Sequence, residues 1–269
     1  MEVKQTSSID FPKLNYWAGG KGNALVLLHG FPQSGALWSR VWEGLSNHFR
    51  VIIPDLPGAG DSAFVSREMR MEQMADSVKL VLDTENISTA VFAGHSMGGY
   101  TALAFAELYP RSVIGLSMVH SVCDADSEEK KENRRKAISL IDKGGKDAFV
   151  KQMIPGLFSA RFREKYKDVI EKQIQEACKV PGDNLVAFYN AMINRPDRRK
   201  VLKDGHFPVQ WIIGKEDSIA SPEKVMNQSI VANVNFVNVY DACAHMSMLE
   251  QPVELVKDLT YFVKYCYKM

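Results

Sequence analysis

Residues 90–100, Ala-Val-Phe-Ala-Gly-His-Ser-Met-Gly-Gly-Tyr, constrain this chain more than any other stretch. The apolar run 90–93 has the length of a buried strand. Gly94, Ser96 and Gly98 follow as G-x-S-x-G. Residues 100–109, rich in Ala and Leu, then read as a helix stopped at Pro110. A strand that becomes a helix within so few residues needs a sharp bend. Gly94 and Gly98 lack the Cβ atoms that would collide where the two elements cross. The bend leaves Ser96 at the strand's end in a strained conformation, near the positive end of the helix. The alternative is a turn that merely contains a serine; the flanking strand and helix argue against it.

The same rhythm recurs along the chain. Residues 1–20 hold two weaker strand candidates ending at Gly19-Gly20. Ala24–Leu28 is a continuous apolar run, and His29-Gly30-Phe31-Pro32 follows it. Residues 36–47 fit a helix with Trp38, Val41, Trp42 and Leu45 on one stripe. Arg50–Pro54 is the next strand, and residues 55–62, Asp-Leu-Pro-Gly-Ala-Gly-Asp-Ser, form its loop. Met71, Met74, Ala75, Val78 and Leu82 have the spacing of a core-facing helix. Val113–Val119 is another strand. Strands alternating with helices predict a parallel sheet covered on both faces.

After His120 the pattern turns helical, and residues 124–204 contain no convincing strand. Helices are expected at 127–141, 146–153, 160–179 and 183–194. Strands return at 207–213 and 234–240. Ser221-Pro222 reads as an N-cap with proline in the first helical position. Gln251-Pro252 opens a last helix with Leu255, Leu259 and Phe262 on one face. The expected organisation is a core of residues 1–120 and 206–269 with a helical lid inserted at 121–205. Residues 124–204 carry 19 Lys+Arg against 14 Asp+Glu. A solvated outer face accounts for that surplus; attraction of anionic substrates is the functional alternative.

A net charge of +1 gives no global reason to expect nucleic acid or an anionic membrane as partner. No apolar run reaches the 18 or so residues of a membrane span. The first ten residues lack a signal-peptide core, and Cys123, Cys178, Cys243 and Cys266 show no metal or redox spacing. Reduced thiols in a cytoplasmic protein are the expectation.

A serine hydroxyl needs a base, and the base needs a carboxylate to fix its tautomer and stabilise its charged form. Of His29, His48, His95, His120, His206 and His245, the last lies just beyond the final strand, at the sheet edge that carries Ser96. His95 adjoins Ser96, but successive turn residues point differently, so it reads as structural. Asp217 follows the 207–213 strand and precedes a proline-started helix, which makes it the candidate acid; Glu216, Asp124 and Asp241 are the alternatives. The order Ser96, Asp217, His245 is that of one fold's catalytic triads. Backbone N–H groups must hold the oxyanion, and Met97 and Phe31 are best placed to give them. Pro32 has no N–H to give. His29 is expected to order its own loop, and residues 55–62 to brace the site rather than cradle a phosphate.

Residues 29–32, 55–62, 94–99 and 214–217, with Ala244-His245-Met246 through Glu250-Gln251-Pro252, resemble the α/β-hydrolase superfamily in its capped esterase-like branch. All five motifs stand in the family's order, and they span nearly the whole chain outside the helical insertion. The resemblance implies an α/β fold with a mostly parallel eight-stranded sheet, a lid after the sixth strand, and hydrolysis without cofactor or metal. Epoxide hydrolases and haloalkane dehalogenases of this fold use Asp where this chain has Ser96. Proline iminopeptidases usually carry Trp where it has Met97. Hydroxynitrile lyases and carbon–carbon bond hydrolases keep the serine and stay open.

The expected activity is hydrolysis of a small or medium carboxylic ester through an acyl-enzyme on Ser96. Thioester, lactone or carbon–carbon hydrolysis, acyl transfer, and a non-catalytic small-molecule binding role are the alternatives. Phe149, Phe158, Phe162, Phe188 and Tyr189 are candidates for the acyl pocket, with plain lid packing as the other explanation. Trp38 is a candidate for the pocket or the core.

Overall fold

In the computed structural model, which describes residues 1–268, the apolar runs form one eight-stranded sheet. Its strands are Glu2–Thr6 (β1), Leu14–Gly19 (β2), Ala24–Leu28 (β3), Arg50–Pro54 (β4), Ala90–His95 (β5), Val113–Val119 (β6), Val209–Gly214 (β7) and Asn235–Tyr240 (β8). They lie in the order β1-β2-β4-β3-β5-β6-β7-β8. β1 and β2 pair antiparallel and β2 joins β4 antiparallel; every pair from β4 to β8 is parallel. β3, β5 and β7 are buried end to end, which is why their sequences are apolar without alternation. The edge strands β1 and β8 are mostly exposed or half-buried.

Helices Trp42–Ser46 (α1), Met71–Thr84 (α2) and Met97–Leu108 (α3) belong to the first half. Between β6 and β7 lie Glu128–Leu140 (α4), Lys146–Met153 (α5), Ala160–Lys165 (α6), Lys167–Lys179 (α7), Gly182–Asn194 (α8) and Arg199–Asp204 (α9). Pro222–Gln228 (α10), Ser247–Glu250 (α11) and Pro252–Cys266 (α12) complete the chain. α2 packs with α3 on the sheet, and α1 packs with α12. α12 buries Leu255, Leu259 and Phe262 as its periodicity predicted; each such side chain contributes about 1.5–3 kcal/mol. Ser127, Ser159 and Ser221 accept N–H bonds from the first turns of α4, α6 and α10, each cap worth about 1 kcal/mol. Among the described residues no helix is long and apolar enough to cross a membrane.

The chain departs from its local pattern in four places. The helix expected at 36–47 is a 3₁₀ segment, Gly35–Arg40, followed by α1, with Val41 at φ −120° between them. Its start is fixed from outside: Gly35 N–H donates to Asp55 Oδ1 at 2.8 Å, and Gly35 packs against the Trp17 ring. The helix expected at 160–179 breaks at Tyr166, at φ −123° and ψ 52°, where the ring packs on Phe162 with centroids 4.6 Å apart. α3 starts three residues earlier than propensity suggests, because Gly98 and Gly99 are poor helix formers placed there for close approach. α9 was not expected; the nearly fully buried Arg198 before it bonds Glu107 at 3.0 Å and also Glu72, anchoring α9 to α3 and α2.

The chain runs from β3 outward to β4, then returns past β3 to β5. The crevice outside the carboxyl ends of β3 and β5 is therefore a topological switch point, where sheets of this kind bind ligands.

Candidate active site

β5 ends at His95, and Ser96 follows at φ 51° and ψ −113°, as the N-cap of α3. A non-glycine residue held there stores about 1–3 kcal/mol of strain. The surroundings enforce it. Ser96 N–H donates to Val119 O at 3.0 Å, and Ser96 O accepts from Gly99 N–H at 2.9 Å and Ser121 Oγ–H at 2.8 Å. A Cβ on Gly94 would lie 2.5 Å from Gly98 O, and one on Gly98 would lie 2.7 Å from His29 O. The turn thus presses α3 both on its own strand and on the loop after β3. Ser96 is the one residue between positions 90 and 106 that is not buried.

The loop after β3 is held by His29, which is fully buried. Its Nδ1–H donates to Gly30 O at 3.0 Å and its Nε2 accepts from Leu56 N–H at 3.0 Å. Burial lowers its pKa to about 4, so the ring is neutral. Asp55 ties the neighbouring loop together, accepting from Gly35 N–H at 2.8 Å, Asn15 Nδ2–H at 2.9 Å and Asp61 N–H at 3.1 Å. Ser62 Oγ–H closes it onto Asp55 O at 2.7 Å. Residues 55–62 therefore spend these polar groups on one another, on β2, on Gly35, on His29 and on Asn184. The backbone N–H groups of Phe31 and Met97 find no acceptor among the described residues. Met97 is the first residue of α3, whose opening amides lack intrahelical partners.

His245 and Asp217 meet. His245 Nδ1–H donates to Asp217 Oδ2 at 2.8 Å, and both side chains are almost fully buried. Asp217 Oδ1 accepts from Ile219 N–H at 2.8 Å and Ala220 N–H at 2.9 Å. Burial pushes the Asp217 carboxyl up, but the neighbouring His245 and the hydrogen bonds from His120 and His245 outweigh it, holding the group far below the usual carboxylate range. The alternative acids are engaged elsewhere: Glu216 with Ala160 N–H at 3.1 Å, Asp124 with Lys224 at 2.8 Å, and Asp241 with Lys215 at 2.6 Å. His95 is fully buried, and its Nε2–H donates to His245 O at 2.8 Å. His245 N–H donates to Leu157 O in the insertion at 2.9 Å. Ser96 Oγ and His245 Nε2 make no hydrogen bond among the described residues; the backbone of His245 is tied to the turn through His95.

Two contributors were not singled out from sequence. His120, at the end of β6, donates Nδ1–H to Asp217 Oδ2 at 3.2 Å. Its only sequence signal is its place after an apolar strand. Glu250 accepts from Ala244 N–H at 3.1 Å, Met246 N–H at 3.3 Å and Ser159 N–H at 3.0 Å, fastening the His245 loop to the insertion. The donor atoms of His120, Asp217 and His245 lie within 4.8 Å of one another, a spacing that could hold a metal ion. In this arrangement Asp217 Oδ2 is already the acceptor for both imidazoles.

The candidate pocket aromatics divide. Phe31 packs against Tyr189 at 4.6 Å and Phe188 at 6.2 Å, and Phe149 packs on Tyr189 at 5.9 Å. Phe158 and Phe162 stack on each other at 5.3 Å. Phe162 and Tyr166 border a separate open cleft of about 300 Å³. Trp38 is sealed in the core with 0% exposure.

The alpha/beta hydrolase fold family matches residues 23–140. A thermophilic esterase from Thermogutta terrifontis, solved with malate bound, superposes with a TM-score of 0.93 at 28% identity, over 99% of both chains. The 3-oxoadipate enol-lactonase 1 of Acinetobacter baylyi is 26% identical over 243 residues, 90% of this chain and 88% of that protein. The dihydrolipoyllysine-residue acetyltransferase component of the acetoin cleaving system of Pseudomonas putida is 29% identical over 208 residues. That match spans 75% of this chain and 54% of the relative, so the chain covers about half of that protein's length.

Proposed function

We propose, for a chain that belongs to the α/β-hydrolase superfamily in its esterase-like branch, hydrolysis of a small or medium carboxylic ester through an acyl-enzyme on Ser96. The observation that carries this reading is the junction of two features at one sheet edge. A strained serine is the one accessible residue of a buried turn, and the histidine whose carbonyl accepts from His95 in that turn has its Nδ1 fixed on a buried carboxylate.

In this mechanism Ser96 Oγ attacks the ester carbonyl while His245 Nε2 takes its proton. Asp217 keeps the His245 proton on Nδ1, leaving Nε2 free as base, and stabilises the imidazolium that forms. The oxyanion is received by the Phe31 and Met97 N–H groups, each worth about 2.7–4 kcal/mol in the transition state. His245 then gives its proton to the departing alcohol, and activates water to release the acid.

Residues 121–205 serve as a lid on the core of 1–120 and 206–269. Phe188, Tyr189 and Phe149 bring it over Phe31, where the acyl group would lie. Packing accounts for Phe158, Phe162 and Trp38. The free cysteines, three of them buried, fit a reducing, cytoplasmic compartment. The likeness to an enol-lactonase supports lactones as a second substrate class, since ring opening uses the same acyl chemistry.

The test is p-nitrophenyl ester hydrolysis across acyl lengths, with wild type and Ser96→Ala in parallel. Steady turnover by wild type and a loss of about three orders of magnitude or more in the variant support the reading. Equal rates in the two proteins would end it.

A further inference from the structure

We propose that His120 is a positioning residue: its Nδ1–H shares Asp217 Oδ2 with His245 and holds the carboxylate in the orientation from which it serves that imidazole. The inference rests on the serine-hydrolase reading above.

A carboxylate has about four acceptor sites, and those of Asp217 are all taken. Ile219 and Ala220 N–H fill Oδ1 at 2.8 and 2.9 Å; His245 and His120 fill Oδ2 at 2.8 and 3.2 Å. The backbone pair comes from the same loop as Asp217 and moves with it. His120 is different. It stands on the neighbouring strand's end, with its own N–H donating to Ile212 O in β7 at 3.0 Å. It therefore references the carboxylate to the sheet itself. The chain accepts φ 50° at a fully buried, non-glycine position to put the ring there.

The tautomer follows from the second ring nitrogen. His120 Nε2 faces Ser247 N–H at 3.4 Å and can only accept from it, so the proton sits on Nδ1. Burial lowers the His120 pKa against the pull of Asp217, keeping the ring neutral. The other groups around the pair are already accounted for. From β5, His95 lies 4.9 Å from the His245 ring and 6.1 Å from the His120 ring, itself neutral through burial. From α11, Glu250 is spent on three backbone N–H groups. From the loop after β8, burial pushes the Cys243 thiol up and keeps it protonated. From the loop after β7, Glu216 caps Ala160 N–H. The insertion contributes the Leu157 carbonyl to His245 N–H.

A neutral donor on Oδ2 draws off part of the charge that the carboxylate would otherwise offer to His245. Without it the carboxylate gains freedom to turn, and its undivided charge falls to the imidazolium that forms on His245 during the reaction. The acid limb of the kcat/KM profile then moves to higher pH.

The experiment has two arms. In wild type labelled with ¹⁵N-histidine, NMR at pH 8 should show His120 neutral with its proton on Nδ1; a proton on Nε2 overturns the proposal. In kinetics on a p-nitrophenyl ester, His120→Ala should lower kcat by roughly tenfold with KM within about twofold, and raise the acid limb by about 0.5 pH unit or more. His120→Asn keeps an amide donor near the Nδ1 position, and asparagine tolerates the left-handed backbone. It should return the limb to within about 0.2 unit of wild type. An unmoved limb in both variants overturns the proposal and leaves His120 a packing residue. If the alanine variant does not fold, the wild-type tautomer and the asparagine profile decide. Ser96→Ala separates the readings: full activity there defeats the serine mechanism, while the NMR result on His120 stands apart from it.

Discussion

Gly98→Ala adds one methyl group where α3 crosses the loop after β3. The new Cβ would lie 2.7 Å from His29 O and closer still to Leu28 O, at least 0.7 Å short of the 3.4 Å where ordinary contact begins. Both obstacles are backbone atoms, so neither can swing aside. α3 and the loop must part by about that distance. Met97 N–H rides on one of these segments and Phe31 N–H on the other. Moving them apart misplaces the two donors relative to a single oxyanion. A displacement approaching 1 Å in a catalytic constellation costs on the order of a hundredfold; the overpacking itself costs about 1–3 kcal/mol of stability. The expected result is a folded protein with kcat on a p-nitrophenyl ester reduced roughly 30- to 100-fold and KM within about threefold. Gly156→Ala is the control, since its methyl meets nothing within 4 Å. Urea melts of both variants complete the assay. Wild-type stability together with kcat within about threefold of wild type in Gly98→Ala would refute the reasoning.

Stability should fall between pH 7.5 and pH 5. His29 is held down to about 4 by burial, so the unfolded chain takes the proton first and stability is lost as pH drops from about 6.5 toward 4. Burial raises Asp55 to about 6, which works in the opposite sense. His95 and His120, both lowered, tip the balance. A net loss of about 2 kcal/mol is expected in urea unfolding; equal or greater stability at pH 5 would contradict the burial of these neutral rings. Asp126→Asn should cost about 3 kcal/mol, lowering Tm by about 6–12 °C, because it strips Arg195 of a buried partner 2.9 Å away and Arg134 of one 2.6 Å away. Burial pushes the Asp126 carboxyl up, yet Arg195 and Arg134 hold it at about 2. The wild-type advantage is therefore present above about pH 4 and lost as pH falls through about 2, which acid titration of both proteins by circular dichroism would show.

The inner strands were legible because they are buried on both faces, which favours nearly continuous apolar runs such as Ala24–Leu28 and Val113–Val119. The meeting of His245 with Asp217 was legible from chain order and strand ends. Helix breaks were not. Val41 and Tyr166 lie inside stretches whose periodicity is continuous; the first stretch starts where Gly35 meets Asp55 and Trp17, and the second breaks where Tyr166 packs on Phe162. The division of the aromatics was hidden for the same reason: Phe188 and Tyr189 reach Phe31, while Phe158 and Phe162 turn toward each other.

By itself, then, the sequence determined the elements whose reasons are local or periodic: the strands, the glycine-lined turn at Ser96, the capped helices, and the chain order of the residues around the site. The tertiary structure alone brought a second histidine, His120, to the carboxylate that serves His245. His120 and His245 stand 125 positions apart in sequence, yet both reach Asp217 Oδ2. Hydrogen bonds of this kind depend on distance and direction between strand ends, and those quantities exist only once the parallel ladder of β5, β6, β7 and β8 has set its register.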